Sequence, residues 1–129
     1  MSQFEQKIVK ILQKSGVKFE KEKVFKDCYN GYYRYDFYLP DKNIVIEANG
    51  IQHYKFTKIF HKNRSDFLKG QERDRRKISY CLAKDIKIYC IPYWEMDNLK
   101  NLDDILNPKF QATSKFWNDE VWRKNRPDS

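Results

Sequence analysis

Two carboxylates, Asp36 and Glu47, each stand among apolar or aromatic residues, and a pair of that kind can hold a cation. Glu47 closes the aliphatic run of IVIEANGIQHY (44–54), which then turns through Asn49 and Gly50 and presents Gln52 and His53. An ionised group at the end of a buried strand is costly unless a partner charge or a metal ion compensates it. Asp36 lies in YYRYDFYLP (32–40). Successive strand residues alternate faces, so Tyr33, Tyr35, Phe37 and Leu39 share one side and Arg34, Asp36 and Tyr38 the other. In the next strand Ile44 and Ile46 share a face, leaving Val45 and Glu47. A hairpin through Pro40 and Asp41 brings Asp36 and Glu47 side by side, and their mutual repulsion calls for a cation.

Three further polar groups converge on the same region. The spacing predicts a long helix from about Ser65, an N-cap for the acidic Asp66, to about Lys84. Phe67, Ile78, Cys81 and Leu82 define its apolar stripe, and Gln71 and Asp74 fall inside that stripe. Buried polar groups need partners, so Gln71 and Asp74 are expected to point toward the carboxylate pair or what it binds. Glu5 lies at the edge of the first helix's apolar face. Blander pairings exist for each: Asp36 with Arg34 or Arg73, Glu47 with the turn at Asn49, Gln71 with a backbone carbonyl. Their joint occurrence on one side of one sheet favours a site.

The elements that must position these groups follow from periodicity. Phe4, Ile8, Ile11 and Leu12 give a helix over 2–15, stopped at Gly16. VKFEKEKVF (17–25) alternates as a solvated edge strand. Residues 32–40 and 42–48 form the hairpin, and IKIYCIPYW (86–94) reads as a buried strand stopped by Pro92. A short helix is expected around 97–106, with Leu99, Leu102, Ile105 and Leu106 on one side. The order α-β-β-β-α-β-α predicts an α/β fold, a mixed sheet flanked by helices. The connection through the long helix is long enough to make strands 42–48 and 86–92 parallel.

A chain of 129 residues has room for one core. Its division is expected at 106, with a core over 1–106 and a basic, aromatic C-terminal extension over 107–129. Lys and Arg number 26 against 18 Asp and Glu, a net charge of +8, and aromatics make up 16%. That balance suits a polyanion such as a nucleic acid. The loop after Gly50 carries Lys55, Lys58, Lys62 and Arg64, and with Gln52 it is the expected phosphate-binding segment. Cys28, Cys81 and Cys90 form no CxxC pair and read as reduced thiols, so a soluble, intracellular protein without structural zinc is expected. No apolar run is long enough for a membrane span.

The order of a helix bearing Glu5, then YDFYLP, IVIEANGIQHY, DRRK on a long helix and IKIYCIPYWE on a strand resembles the PD-(D/E)XK nuclease superfamily. Within it the likeness is to the compact branch of very-short-patch-repair enzymes and of phage and homing endonuclease domains. It covers roughly residues 4–95 and implies a restriction-endonuclease-like core. It also implies Mg2+, with Mn2+ as a substitute, bound by Asp36, Glu47 and the carbonyl of Ala48, with Glu5 as the helical acid. Gln52, His53 and Asp74 would surround the scissile phosphate, with Gln71 beside them. The superfamily's lysine belongs at position 49, where this chain has Asn49, and Lys77 and His53 are the candidates to replace it.

The resulting expectation is a Mg2+-dependent DNA endonuclease. The alternative is a nucleic-acid-binding domain that keeps the fold without catalysis. The tail, with Phe116, Trp117, Val121 and Trp122 at helical spacings, either packs on its own domain or joins two copies as a homodimer.

Overall fold

The computed structural model describes residues 1–50 and 61–114. Helix α1 (Gln3–Ser15) begins where the Ser2 hydroxyl accepts the Glu5 amide at 3.1 Å. It ends at Gly16, whose φ of 75° is the left-handed conformation that glycine adopts without steric cost. Phe4, Ile8, Ile11 and Leu12 are buried, as their spacing predicts. Each contributes about 1.5–3 kcal/mol by leaving water.

Four strands follow: β1 (Glu20–Val24), β2 (Arg34–Leu39), β3 (Ile44–Asn49) and β4 (Lys87–Pro92). They form one sheet in the order β1-β2-β3-β4, with antiparallel pairing up to β3 and parallel pairing between β3 and β4. A parallel pair needs a crossover, and helix α2 (Arg64–Ala83) lies between the two strands in sequence. The fold is therefore α/β, a mixed sheet with helices on both faces.

Each face has its own core. On one, α1 packs on Phe37, Leu39, Ile44, Ile46, Tyr89 and Ile91, joined by Leu99 and Ile105. On the other, Ile78 and Cys81 of α2 pack on Tyr35, Val45, Ile88 and Cys90, with Cys28 beside them. Strands β3 and β4 alternate cleanly between these cores. Strand β2 does not: Tyr33 and Tyr35 join the α2 side while Phe37 and Leu39 join the α1 side. The single shared face predicted for these four residues is thus split, and the break falls at Asp36.

Two helix boundaries also differ from expectation. The cap of α2 is Asn63 rather than Ser65, since Asn63 Oδ1 accepts the Asp66 amide at 3.0 Å and Asp66 Oδ2 accepts the Lys62 amide at 3.0 Å. An Asn followed three residues later by a carboxylate satisfies two orphan amides, which Ser65 could not do from inside the first turn. Of the predicted α2 stripe, Ile78 and Cys81 are buried, Phe67 is partly so and Leu82 is exposed.

The helix expected over 97–106 is two pieces, a 3-10 segment at Tyr93–Asn98 and the short α3 (Leu102–Ile105). Leu99 is extended between them, and Asn101 starts α3 with a capping box to Asp104. Packing continues past residue 106. Phe110 and Ala112 are buried in the two cores, and the Ala112 amide donates to the Ile88 carbonyl at 2.9 Å. Gln52, His53, Lys55, Lys58 and the tail beyond Ser114 lie outside the described residues.

Candidate active site

The β2–β3 ladder pairs Phe37 with Ile46, and the next rung in that register is Asp36 opposite Glu47. Here side chains replace backbone pairing. Asp36 Oδ2 accepts the Ala48 amide at 2.8 Å, and the Asp36 amide donates to Glu47 Oε2 at 3.4 Å. The two carboxylates are thereby stitched reciprocally across the point where the ladder opens. That opening is also where β2 resets its faces.

The cation between the strands that repulsion demands is in part a side chain. Lys77, on α2, places its ammonium against Glu47 Oε1, and both groups are largely buried. The same turn of α2 is fastened to β2, because the Tyr35 hydroxyl donates to the Lys77 carbonyl at 2.9 Å and the ammonium lies 4.8 Å from the Tyr35 ring centroid. Burial pulls the Lys77 ammonium toward neutrality, but Glu47, Asp36 and Asp74 more than offset it, so its pKa is raised.

Asp36 carries the opposite imbalance. Burial first, then the charge of Glu47 and a hydrogen bond with it, push its carboxyl up to about 8 against the opposing pull of the Ala48 amide and Lys77. Glu5 is raised as well, by burial and then by Asp36, with Glu22 adding to it.

Two clefts flank this rung. Glu47, Asn49, Asp74 and Lys77 line the one under α2, with Ile78, Ile88 and Cys90 as its floor. Asp36, Glu5 and Glu22 line the other, with Lys21, Phe37 and Met1. Asn49 is buried beside Glu47, and the ammonium in that cleft is that of Lys77.

Glu22 was not among the sequence candidates. The pairs Lys21 with Phe37 and Lys23 with Tyr35 bracket it on the same rung as Asp36, and its φ of 52° marks a local distortion of the edge strand. The register of β1 against β2 is the signal that finds it.

Other candidates lie apart. Gln71 is partly buried on α2 but lines neither cleft. Lys62 and Arg64 are exposed at the start of α2.

The available donors, the carboxylate oxygens of Asp36 and Glu47, are of the kind that a hard divalent cation takes. Among the described residues no group of three or more His, Cys, Asp or Glu stands ready to hold a metal.

The raised Asp36 carboxyl has a consequence for stability without metal. The folded group keeps its proton up to about pH 8, whereas the unfolded one loses it near pH 4. Between those values the folded state binds more protons, so stability falls as pH rises. Melting temperature in EDTA is expected to drop across that window and the slope to flatten in Asp36→Asn. An unchanged slope would show that Asp36 titrates as an ordinary carboxylate.

Comparison with known proteins places the fold and little more. No family model matches the chain. It is 37% identical over 73 residues to the uncharacterised protein 307L of Invertebrate iridescent virus 6, a match covering 57% of this chain and 37% of that protein. It is 38% identical over 63 residues to the uncharacterised protein 094L of Frog virus 3 (isolate Goorha), covering 48% and 41% respectively. The chain thus spans well under half the length of these viral relatives. Among solved structures, the catalytic domain of the homing endonuclease I-Bth0305I superposes with a TM-score of 0.54 at 23% identity, over 91% of this chain and 95% of that one. The chain has the fold of that domain. No helix among the described residues is long and apolar enough to cross a membrane.

Proposed function

We propose that this protein is a DNA endonuclease of the PD-(D/E)XK type that hydrolyses phosphodiester bonds with the aid of Mg2+. The observation that carries this reading is the meeting of Asp36 and Glu47 at an opened rung, with the Lys77 ammonium on Glu47. Likeness to a homing endonuclease catalytic domain supports it.

Asp36, Glu47 and the Ala48 carbonyl would hold Mg2+, with Glu5 joining them directly or through water and Mn2+ able to substitute. The ion would supply Lewis-acid polarisation of the phosphoryl group and a more acidic bound water. This chain's own residues do the rest. Glu47 and Asp36 fix the position of the scissile phosphate relative to the strand ends. Lys77 provides the positive charge that Asn49 cannot, orienting the attacking water and stabilising charge that develops on the phosphate. Asp74 helps to hold the Lys77 ammonium charged. Lys62 and Arg64, with Gln52, Lys55 and Lys58 earlier in the sequence, would bind flanking phosphates, and His53 would orient or donate to the scissile one.

The test is supercoiled plasmid incubated with Mg2+, Mn2+ or EDTA, comparing the wild type with Glu47→Ala. Nicking or linearisation with either metal, lost in EDTA and in the variant, is expected. Binding without cleavage in every condition would instead identify a catalytically silent DNA-binding domain.

A further inference from the structure

The loop ahead of β2 is strained, clamped and exposed at once. Tyr29, Asn30 and Gly31 have φ of 48°, 58° and 75°, so three consecutive residues are left-handed and two of them are not glycine. Each such non-glycine residue is strained and persists only where its surroundings enforce it.

The enforcement is visible. Cys28 is fully buried with its thiol 3.6 Å from the Tyr35 hydroxyl. Asp27 accepts from Tyr80 and pairs with Lys84 at 3.0 Å, both at the C-terminal end of α2. Arg76 donates to the Tyr33 hydroxyl at 3.3 Å and lies 5.7 Å from the Tyr29 ring centroid.

What this rigid loop presents is aromatic. Tyr32 is 77% exposed and Tyr29 49%, and each stands edge-on to Tyr33, with centroids 5.3 and 5.2 Å apart. Beside them is a cleft of about 420 Å3 lined by Tyr32, Tyr33, Arg34, Arg73 and Lys77. Among the described residues neither Arg34 nor Arg73 has a carboxylate partner. Lys77 belongs both to this cleft and to the one that contains Glu47.

We propose that this cleft docks a DNA strand carrying an unpaired base, with the base stacked on Tyr32 and the adjoining phosphates on Arg34 and Arg73. The proposal rests on the endonuclease reading and narrows its substrate to DNA that is locally unpaired. An exposed ring beside guanidinium groups that have no carboxylate partner among the described residues matches what single strands offer, since every base has a stacking face and every linkage a negative charge. A fully paired duplex offers the arginines its phosphates but leaves Tyr32 no free base face. The shared Lys77 puts the docked strand next to the carboxylate rung.

Binding of the full chain to two short fluorescein-labelled duplexes, one fully paired and one with a central bulge, tests this by anisotropy in EDTA. Tyr32→Ala is expected to weaken the bulged complex about tenfold and the paired one little, and Tyr32→Phe to bind like the wild type. Arg73→Ala is expected to weaken both and to lower the log–log salt slope by about 0.9. Equal binding of the bulged duplex by wild type and Tyr32→Ala would overturn the dock while leaving the endonuclease reading standing. A wild type that binds neither duplex would overturn both.

Discussion

Asp36→Asn is expected to lower plasmid cleavage at least about a thousandfold while DNA binding stays within a few fold. On the proposed mechanism, losing one of the two charged ligands would remove several kcal/mol of transition-state stabilisation, and each 1.36 kcal/mol is a factor of ten in rate. Binding is spared because the asparagine carbonyl can still accept the Ala48 amide, which Asp36 Oδ2 does at 2.8 Å. Losing a negative charge beside the phosphates would tighten rather than loosen the complex. The same variant should also be the more stable protein in EDTA at neutral pH, because the folded chain no longer has to hold on Asp36 a proton that the unfolded chain releases. Greater stability with lost activity is the pattern of a site built for function at the expense of the fold. Cleavage at the wild-type rate would remove Asp36 from the catalytic machinery.

Lys77→Met should have the largest effect on the fold. It leaves Glu47 buried beside Asp36 with no ammonium, and breaking a buried pair by removing one partner costs about 3–5 kcal/mol. In a domain of this size that is a fall in melting temperature of roughly 10 °C or more. The double variant Lys77→Met with Glu47→Gln removes the orphaned charge and should recover much of the loss, whereas cleavage should stay abolished. A single variant that melts and cleaves like the wild type would show the pair to be dispensable.

Much of this layout could be read from periodicity, and the failures have local causes. The α1 stripe and the strand at β4 follow patterns that packing then respects. Asp36 and Glu47 were legible as a pair because hairpin register is short-range. Lys77 entered only through the resemblance, as a replacement for the missing lysine, and its pairing with Glu47 was not legible, since it depends on the docking of α2 on the sheet, a tertiary relation with no sequence spacing. Glu22 escaped because it lies on a third strand and in a left-handed conformation that no glycine announces. Over 97–106 the leucine spacing is continuous, but the Asn101–Asp104 cap starts a new helix where spacing alone sees one.

The three cysteines lend themselves to a use unrelated to DNA. Cys28, Cys81 and Cys90 are buried in the core beneath α2, and burial pushes the Cys81 thiol up to about 12 and that of Cys90 well above its ordinary value. Thiols so held are nearly inert at neutral pH. Alkylating reagents would reach Cys81, on α2 itself, only when the packing around it opens, so its labelling rate becomes a clock for that breathing. The chain therefore carries its own reporter of the motion that would separate Lys77 from Glu47.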